Sequence, residues 1–229
     1  MTSMKLDLTK AAIIGRTFEE YSEMFRLSDF AGKNEKILDA ASGVSAFCAG
    51  AALYDLDAVA CDPIYGLPVK DIKITAENDL DIVMGKMPQC SDNYIWERFK
   101  NVNALRETRK AALLTFLSDF KANPTRYICR QFPESGFDSG EFSITLSSHF
   151  LFMYDEILDY EFHRETVFEM LRITSKEVRI FPLVNLKGER SPFVHRIIKE
   201  VFNRGYGISI DKVNYKFVKN GGEMLRIMK

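Results

Sequence analysis

Short apolar runs alternate with helix-period stretches along most of this chain, and that alternation limits the fold more than any other feature. Runs at 36–39, 57–62, 126–132, 142–148 and 177–181 read as strands. Between them lie a small-residue helix at 44–54, a helix carrying Leu113, Phe116, Leu117 and Phe120 that begins near Arg98, and a helix with His163, Val167, Met170 and Leu171 on one side. Pro192 sits where a further helix can start, and Val194, Ile197, Ile198 and Val201 give that helix its apolar stripe. Strands separated by helices cannot pair as hairpins; they lie parallel, and both faces of their sheet are covered. The end of the chain differs. Runs at 208–218 and 223–228 are separated only by 219–222, where Asn220-Gly221 is a hairpin signal. The expectation is an α/β, doubly wound, mostly parallel seven-stranded sheet that closes with an antiparallel β-hairpin.

Two segments add to this plan. Ile14, Phe18, Tyr21 and Phe25 recur at helical spacing, so residues 1–33 read as an N-terminal helical segment laid on the body. Residues 64–125 hold no clear strand and far exceed what an αβ connection needs. They read as a helical cap inserted between strands two and three, over the carboxyl ends of the strands, where open α/β sheets bind ligands. Tyr65, Tyr94, Trp96 and Phe99 are its candidates for lining a pocket, core packing being the alternative for each. With 229 residues, 46% hydrophobic and 18 Phe, the material suffices for a single domain spanning 1–229.

Charge narrows the function classes. Lys and Arg number 31 against 32 Asp and Glu, a net charge of -1, which argues against a surface built as a polyanion footprint. The basic stretch 98–130 is the one place where an anionic substrate could be attracted. The longest uncharged run, 40–54, is too short to span a bilayer, which takes about 20 apolar residues. The first ten residues lack the apolar stretch of a signal peptide, and the four cysteines (Cys48, Cys61, Cys90, Cys129) form no CxxC pair. A cytoplasmic protein with reduced thiols and no membrane association is expected. The histidines His149, His163 and His195 are too scattered for a metal site, and none is assigned.

The chemically informative segment is Ile37-Leu38-Asp39-Ala40-Ala41-Ser42-Gly43-Val44-Ser45, with Asp62 ending the next strand. A strand runs into a turn of small residues and opens a helix, so backbone can approach a ligand closely. The second carboxylate lies beside the first in a parallel sheet and can accept from both hydroxyls of a ribose. In this pattern, in the order of its elements and in the closing hairpin, the chain resembles the class I S-adenosylmethionine-dependent methyltransferases. Their usual GxGxG turn is altered here. Only its middle glycine is present, as Gly43, and Ala41 and Ser45 stand at the outer positions. Close approach survives that change provided neither outer position needs a positive φ.

The resemblance implies S-adenosylmethionine as cofactor and assigns roles by position. Asp39 would hold the ammonium end of the cofactor, directly or through water, with Ala41, Gly43 and Ser45 in close contact. Asp62 would take the ribose, and Pro63 and Ile64 would lie against the adenine. Gln131 and Phe132, at the end of strand three, would face the adenine amine and ring. Ser147, Ser148 and His149 end strand four, where the cofactor and substrate sites of that family meet. Each residue also has a plainer reading. Asp39 could cap the following turn, and Asp62 could start its own Asp-Pro turn. His149 is a candidate general base, or a buried hydrogen-bonded histidine among Phe150, Leu151 and Phe152. His163 reads as core.

The acids Asp155, Glu156, Asp159 and Glu161 read as a solvated run that could also select a cationic substrate. The Asn-Pro-Pro-Tyr box of exocyclic-amine methyltransferases is absent; the chain reads Ser147-Ser148-His149-Phe150. The function expected is therefore methyl transfer to an oxygen or nitrogen of a small molecule. The alternatives are a cofactor-binding module without turnover and an RNA methyltransferase; a nicotinamide-dependent reductase fits the hairpin ending poorly. Nucleic acid is not the expected partner, and the oligomeric state is open.

Overall fold

The computed structural model describes Leu8, residues 11–30 and residues 34–229. Seven strands form one sheet: β1 (Lys36–Ala40), β2 (Asp57–Cys61), β3 (Tyr127–Ile128), β4 (Phe142–Ser148), β5 (Thr174–Phe181), β6 (Gly207–Lys212) and β7 (Glu223–Met228). Their spatial order is β3-β2-β1-β4-β5-β7-β6. The first five are parallel; β7 runs antiparallel to both β5 and β6. The chain winds outward from β1 to β3 and then returns to place β4 on the other side of β1. That reversal opens a crevice at the carboxyl ends of β1 and β4.

Among the described residues six α-helices cover the sheet: α1 (Phe18–Phe25), α2 (Phe47–Ala51), α3 (Val69–Lys86), α4 (Val102–Ala122), α5 (Tyr160–Ile173) and α6 (Pro192–Asn203). Side-chain alternation along the central strands divides the core into two layers. Ile37, Ala58, Ala60, Ile144 and Leu146 face the side of α1 to α4. Leu38, Ala40, Cys61, Val178 and Ile180 face α5 and α6. This two-sided burial leaves β1 and β4 buried almost throughout, their polar Asp39, Thr145 and Ser147 included.

Three departures from the sequence expectation bear on the site. The first helix starts at Phe18, not near Ile14, because Thr17 and Glu20 form a capping box: Thr17 Oγ1 accepts from Glu20 N at 3.3 Å and Glu20 Oε2 from Thr17 N at 2.9 Å. Residues 11–16 carry no helix. Second, β3 keeps only two residues of the run 126–132, since it is an edge strand that pairs with β2 alone. Finally, β6 ends at Lys212, so 213–222 is a ten-residue connection and Asn220-Gly221 is not a two-residue hairpin turn. That connection is held by tertiary burial instead: Val213, Tyr215, Phe217 and Val218 are all buried.

Residues 64–125 carry α3 and α4. The buried face of α4, with Leu113, Phe116, Leu117 and Phe120, packs into the core beneath β2 and β3, stacking with Tyr65 and Tyr127. It is α3 and the turn after it that reach the crevice.

Candidate functional site

The crevice holds a cavity of about 360 Å³, within the range of small-molecule sites. Its floor is the turn after β1. Ala41 and Gly43 both adopt a left-handed backbone, with φ of 54° and 58°. The proviso attached to the small outer residues therefore fails at Ala41, which carries a Cβ in a conformation that glycine adopts without strain. We expect Ala41→Gly to stabilise the protein by about 1 kcal/mol, measured as a rise in the urea midpoint at unchanged slope. Ser45 is no longer part of the turn's open side; it is buried, and its Oγ accepts from Phe47 N at 3.0 Å at the start of α2.

The two acids end neighbouring strands, in the register of β1 against β2 that pairs Ala40 with Cys61. Asp62 lines the cavity, as do Ala41, Ser42, Gly43 and Pro63. Its carboxylate already accepts from Gly43 N at 2.9 Å and from Ile64 N at 3.0 Å. The turn-forming role and the site role thus coincide, because two lone pairs per oxygen leave acceptor capacity for a ligand. Burial raises its pKa.

Asp39 is fully buried and does not line the cavity. Its contact with the cavity passes through Ser42, whose hydroxyl donates to Asp39 Oδ2 at 2.5 Å, while Tyr21 donates to Oδ1 at 3.1 Å. Burial pushes its pKa up to about 7, and the nearby Asp62 charge adds to the rise. Ser42 is a residue the sequence reading passed over; its place between Ala41 and Gly43 was the available signal.

Gln131 and Phe132 also line the cavity. At the end of β4 the residues separate by strand alternation. Ser148 and His149 line the cavity, whereas Ser147 points into the core with no hydrogen-bond partner for its Oγ among the described residues. His149 takes a left-handed backbone with φ of 54°, its N–H donating to Phe181 O at 2.7 Å. A bulky residue held there marks a local constraint, and such constraints cluster at functional sites. Its Nδ1 lies 2.9 Å from Ser148 Oγ. Burial, then the charges of Arg16 and Arg109, hold its pKa well below the ordinary value, so the ring is neutral at pH 7.

The roof comes from three places that no sequence pattern connected. Ala12, Ile13 and Arg16 cross the opening as an extended strap, tied by Ala12 N donating to the Tyr154 hydroxyl at 3.0 Å and Ile13 N to Asp79 Oδ2 at 2.9 Å. Gly15 lets this strap press on the turn, since a Cβ there would lie 2.1 Å from the Val44 carbonyl oxygen. From the cap come Val83, Met87 and Tyr94, and from the β6–β7 connection Phe217 and Val218. Those last two pieces are joined by a bridge between Tyr94 and Val218 and by Ile95 N donating to Phe217 O at 2.7 Å.

The other singled-out residues lie elsewhere. Of the four cap aromatics only Tyr94 reaches the cavity. Tyr65 supports the floor from behind, donating to Gly43 O at 2.8 Å, and Trp96 and Phe99 pack on Phe217. Ile64 does not line the cavity. His163 is buried on α5 with Nδ1 2.7 Å from Asp159 O. The acidic run is engaged locally: Glu156 pairs with Lys187, Glu161 with Arg164, and Asp159 caps α5. Cys129 lies just beyond β3 and is exposed. Among the described residues there is no group of three or more His, Cys, Asp or Glu that could hold a metal ion, and no helix long and apolar enough to cross a membrane.

No family model matches the chain. It is 41% identical over 223 residues to the uncharacterised protein MJ0045 of Methanocaldococcus jannaschii, covering 97% of this chain and 98% of that one. Among solved structures, the PH0226 protein of Pyrococcus horikoshii superposes with a TM-score of 0.50 at 10% identity, covering 99% of this chain and 94% of that one. At that identity the likeness shows the fold. Magnesium protoporphyrin IX methyltransferase of Synechocystis, solved with bound SAM, gives a TM-score of 0.48 at 9% identity over 92% of this chain and 78% of that one.

Proposed function

We propose that this chain, which belongs to one family with the archaeal protein above and has the fold of the class I S-adenosylmethionine-dependent methyltransferases, binds S-adenosylmethionine in the crevice and methylates an oxygen or nitrogen of a small molecule. The observation that carries this reading is a convergence. The left-handed turn 41–43, the Asp62 carboxylate, Gln131-Phe132 and the Ser148-His149 strand end all face one cavity at the point where the strand order reverses.

The residues fit the cofactor. Asp62 has acceptor capacity for the ribose hydroxyls, Pro63 and Phe132 offer apolar surface for a base, and the Gln131 amide can accept from an exocyclic amine. Asp39 would act as a positioning residue through Ser42. When bound, S-adenosylmethionine supplies an electrophilic methyl group on a sulfonium. The sulfur leaves as a neutral thioether, so the protein has no developing anion to stabilise there. Its work is to align the acceptor, keep water out and take a proton where the acceptor must lose one. Ile13, Tyr94, Phe217 and Val218 keep water from the cavity. His149, neutral and braced by Ser148, is the group that can take the proton.

The small-molecule reading is supported over the RNA one by the basic stretch itself. Arg98, Arg106, Arg109, Lys110 and Arg126 each pair with an acid of this chain, which offsets part of the charge that a phosphate backbone would meet. One observation favours a second reading, a cofactor-binding module without turnover: the surroundings that keep His149 neutral also make it a weak base. Transfer of label from methyl-labelled S-adenosylmethionine across a panel of hydroxyl and amine acceptors separates the two. Binding without any transfer supports the module.

Asp39 makes cofactor binding pH-dependent. A carboxyl whose folded pKa is raised to about 7 stabilises the free protein when protonated, and that contribution fades as pH rises through 7. A cationic ammonium nearby favours the ionised form. Affinity for S-adenosylhomocysteine should therefore rise by about tenfold from pH 6 to pH 8, and Asp39→Asn should flatten the profile. A wild-type profile that is already flat in calorimetric titrations removes Asp39 from the site.

A further inference from the structure

Arg16 brings a charge to the cavity that nothing above uses. It lines the cavity wall, its Nε is sealed from solvent without a hydrogen-bond partner among the described residues, and one of its terminal nitrogens donates to the Ile14 carbonyl at 2.5 Å. Glu20, the acid nearest by charge, is committed elsewhere. Its two oxygens accept from Arg109 at 2.5 and 2.8 Å, from the Tyr215 hydroxyl at 2.8 Å and from Thr17 N at 2.9 Å. Glu20 is thus taken by Arg109, and the Arg16 guanidinium makes no hydrogen bond to it. A buried donor left unpaired costs stability, and a cation costs more.

The position is specific. The Arg16 backbone oxygen accepts from Ala46 N at 2.9 Å, which fixes the residue beside the start of α2. The Arg16 charge bears on His149, Tyr94 and Tyr154, all lining residues. The Tyr154 hydroxyl oxygen is taken by Ala12 N, which leaves its proton to donate. The other cation of the wall, Arg130, is already engaged by the Ser135 carbonyl and the Phe137 ring.

We propose that Arg16 is the carboxylate-binding residue of this cavity, pairing its planar guanidinium with a carboxylate of the bound small molecule. The proposal deepens the methyltransferase reading and rests on it for the identity of the ligands. Two sources offer this chemistry: the amino-acid end of the cofactor, or an acidic acceptor. Planar, charge-assisted recognition is what arginine supplies and lysine reproduces only in part.

The test is calorimetric titration of the full chain as wild type, Arg16→Gln and Arg16→Lys. The ligands are S-adenosylhomocysteine, 5′-methylthioadenosine, which has no carboxylate, and a panel of aryl and alkyl carboxylates with and without S-adenosylhomocysteine. Melting curves check that each variant is folded. Arg16→Gln should weaken the carboxylate-bearing ligand by about 30- to 100-fold, with Arg16→Lys between and 5′-methylthioadenosine unchanged. A loss confined to S-adenosylhomocysteine assigns the cofactor as the source; a loss confined to the panel assigns the acceptor. Equal binding of every carboxylate by wild type and Arg16→Gln overturns the proposal. Failure of the wild type to bind either nucleoside overturns the methyltransferase reading instead, and the carboxylate panel alone still decides Arg16.

Discussion

Asp62→Ala should erase the thermal upshift that S-adenosylhomocysteine gives the wild type. A ligand at about 100 times its dissociation constant stabilises the folded state by about 2.7 kcal/mol. For a chain of this size that is an upshift of about 5 to 10 °C. Removing the carboxylate deletes two charge-assisted acceptors for ribose hydroxyls, each worth about 1.5 to 3 kcal/mol. Affinity then falls by about 100-fold or more, and the increment shrinks below about 2 °C. The variant also loses the bonds from Gly43 N and Ile64 N, so it should melt lower even without ligand. The quantity to compare is therefore the ligand-dependent increment. Asp62→Asn, which keeps an acceptor oxygen but not the charge, should fall between. A full-sized increment in Asp62→Ala would leave the crevice without its proposed occupant.

The largest effect on stability is expected at the buried pair of Glu20 and Arg109. Both side chains are almost wholly buried, and with the Tyr215 hydroxyl they join α1, α4 and the β6–β7 connection. Arg109 holds the Glu20 pKa down to about 2 against the opposing effect of burial. A carboxylate depressed in this way contributes stability that is fully present above the unfolded value and lost as pH falls through about 2. Removing one partner strands the other charge in the core, so Arg109→Ala or Glu20→Ala should cost about 3 to 5 kcal/mol, or roughly 10 °C in Tm. The double replacement Glu20→Leu with Arg109→Met should cost far less than the two singles together, because it leaves no uncompensated charge. Chemical denaturation of the four proteins checks this. Additive losses would mean that the charges do not act as a pair.

This cluster also shows where reading the chain linearly stopped. Glu20 falls within the N-terminal helical segment, and Arg109 is one more member of a basic stretch. Nothing in the spacing pairs residues 89 positions apart. The strands, by contrast, were legible from short apolar patterns, Ile37-Leu38 in β1 and the alternating Phe142, Ile144 and Leu146 in β4. The hairpin signal at Asn220-Gly221 misled for a related reason: a dipeptide reports local turn preference, whereas 213–222 is held by the burial of Tyr215 and Phe217 against the cap.

At the candidate site the same division holds. Strand-end acids, small turn residues and the β4 terminus could be named from the chain alone, because strand periodicity and turn chemistry act over a few residues and leave a pattern there. Which of those groups faces the cavity was set elsewhere. Asp39 turns inward to Tyr21 and Ser42, Ser147 and Ser148 part by strand alternation, and Arg16 arrives on a strap that Gly15 allows to lie against the turn. Local preferences wrote the elements into the sequence. The direction, burial and charge of each side chain depend on contacts between segments far apart along it, and only packing in three dimensions brings those together.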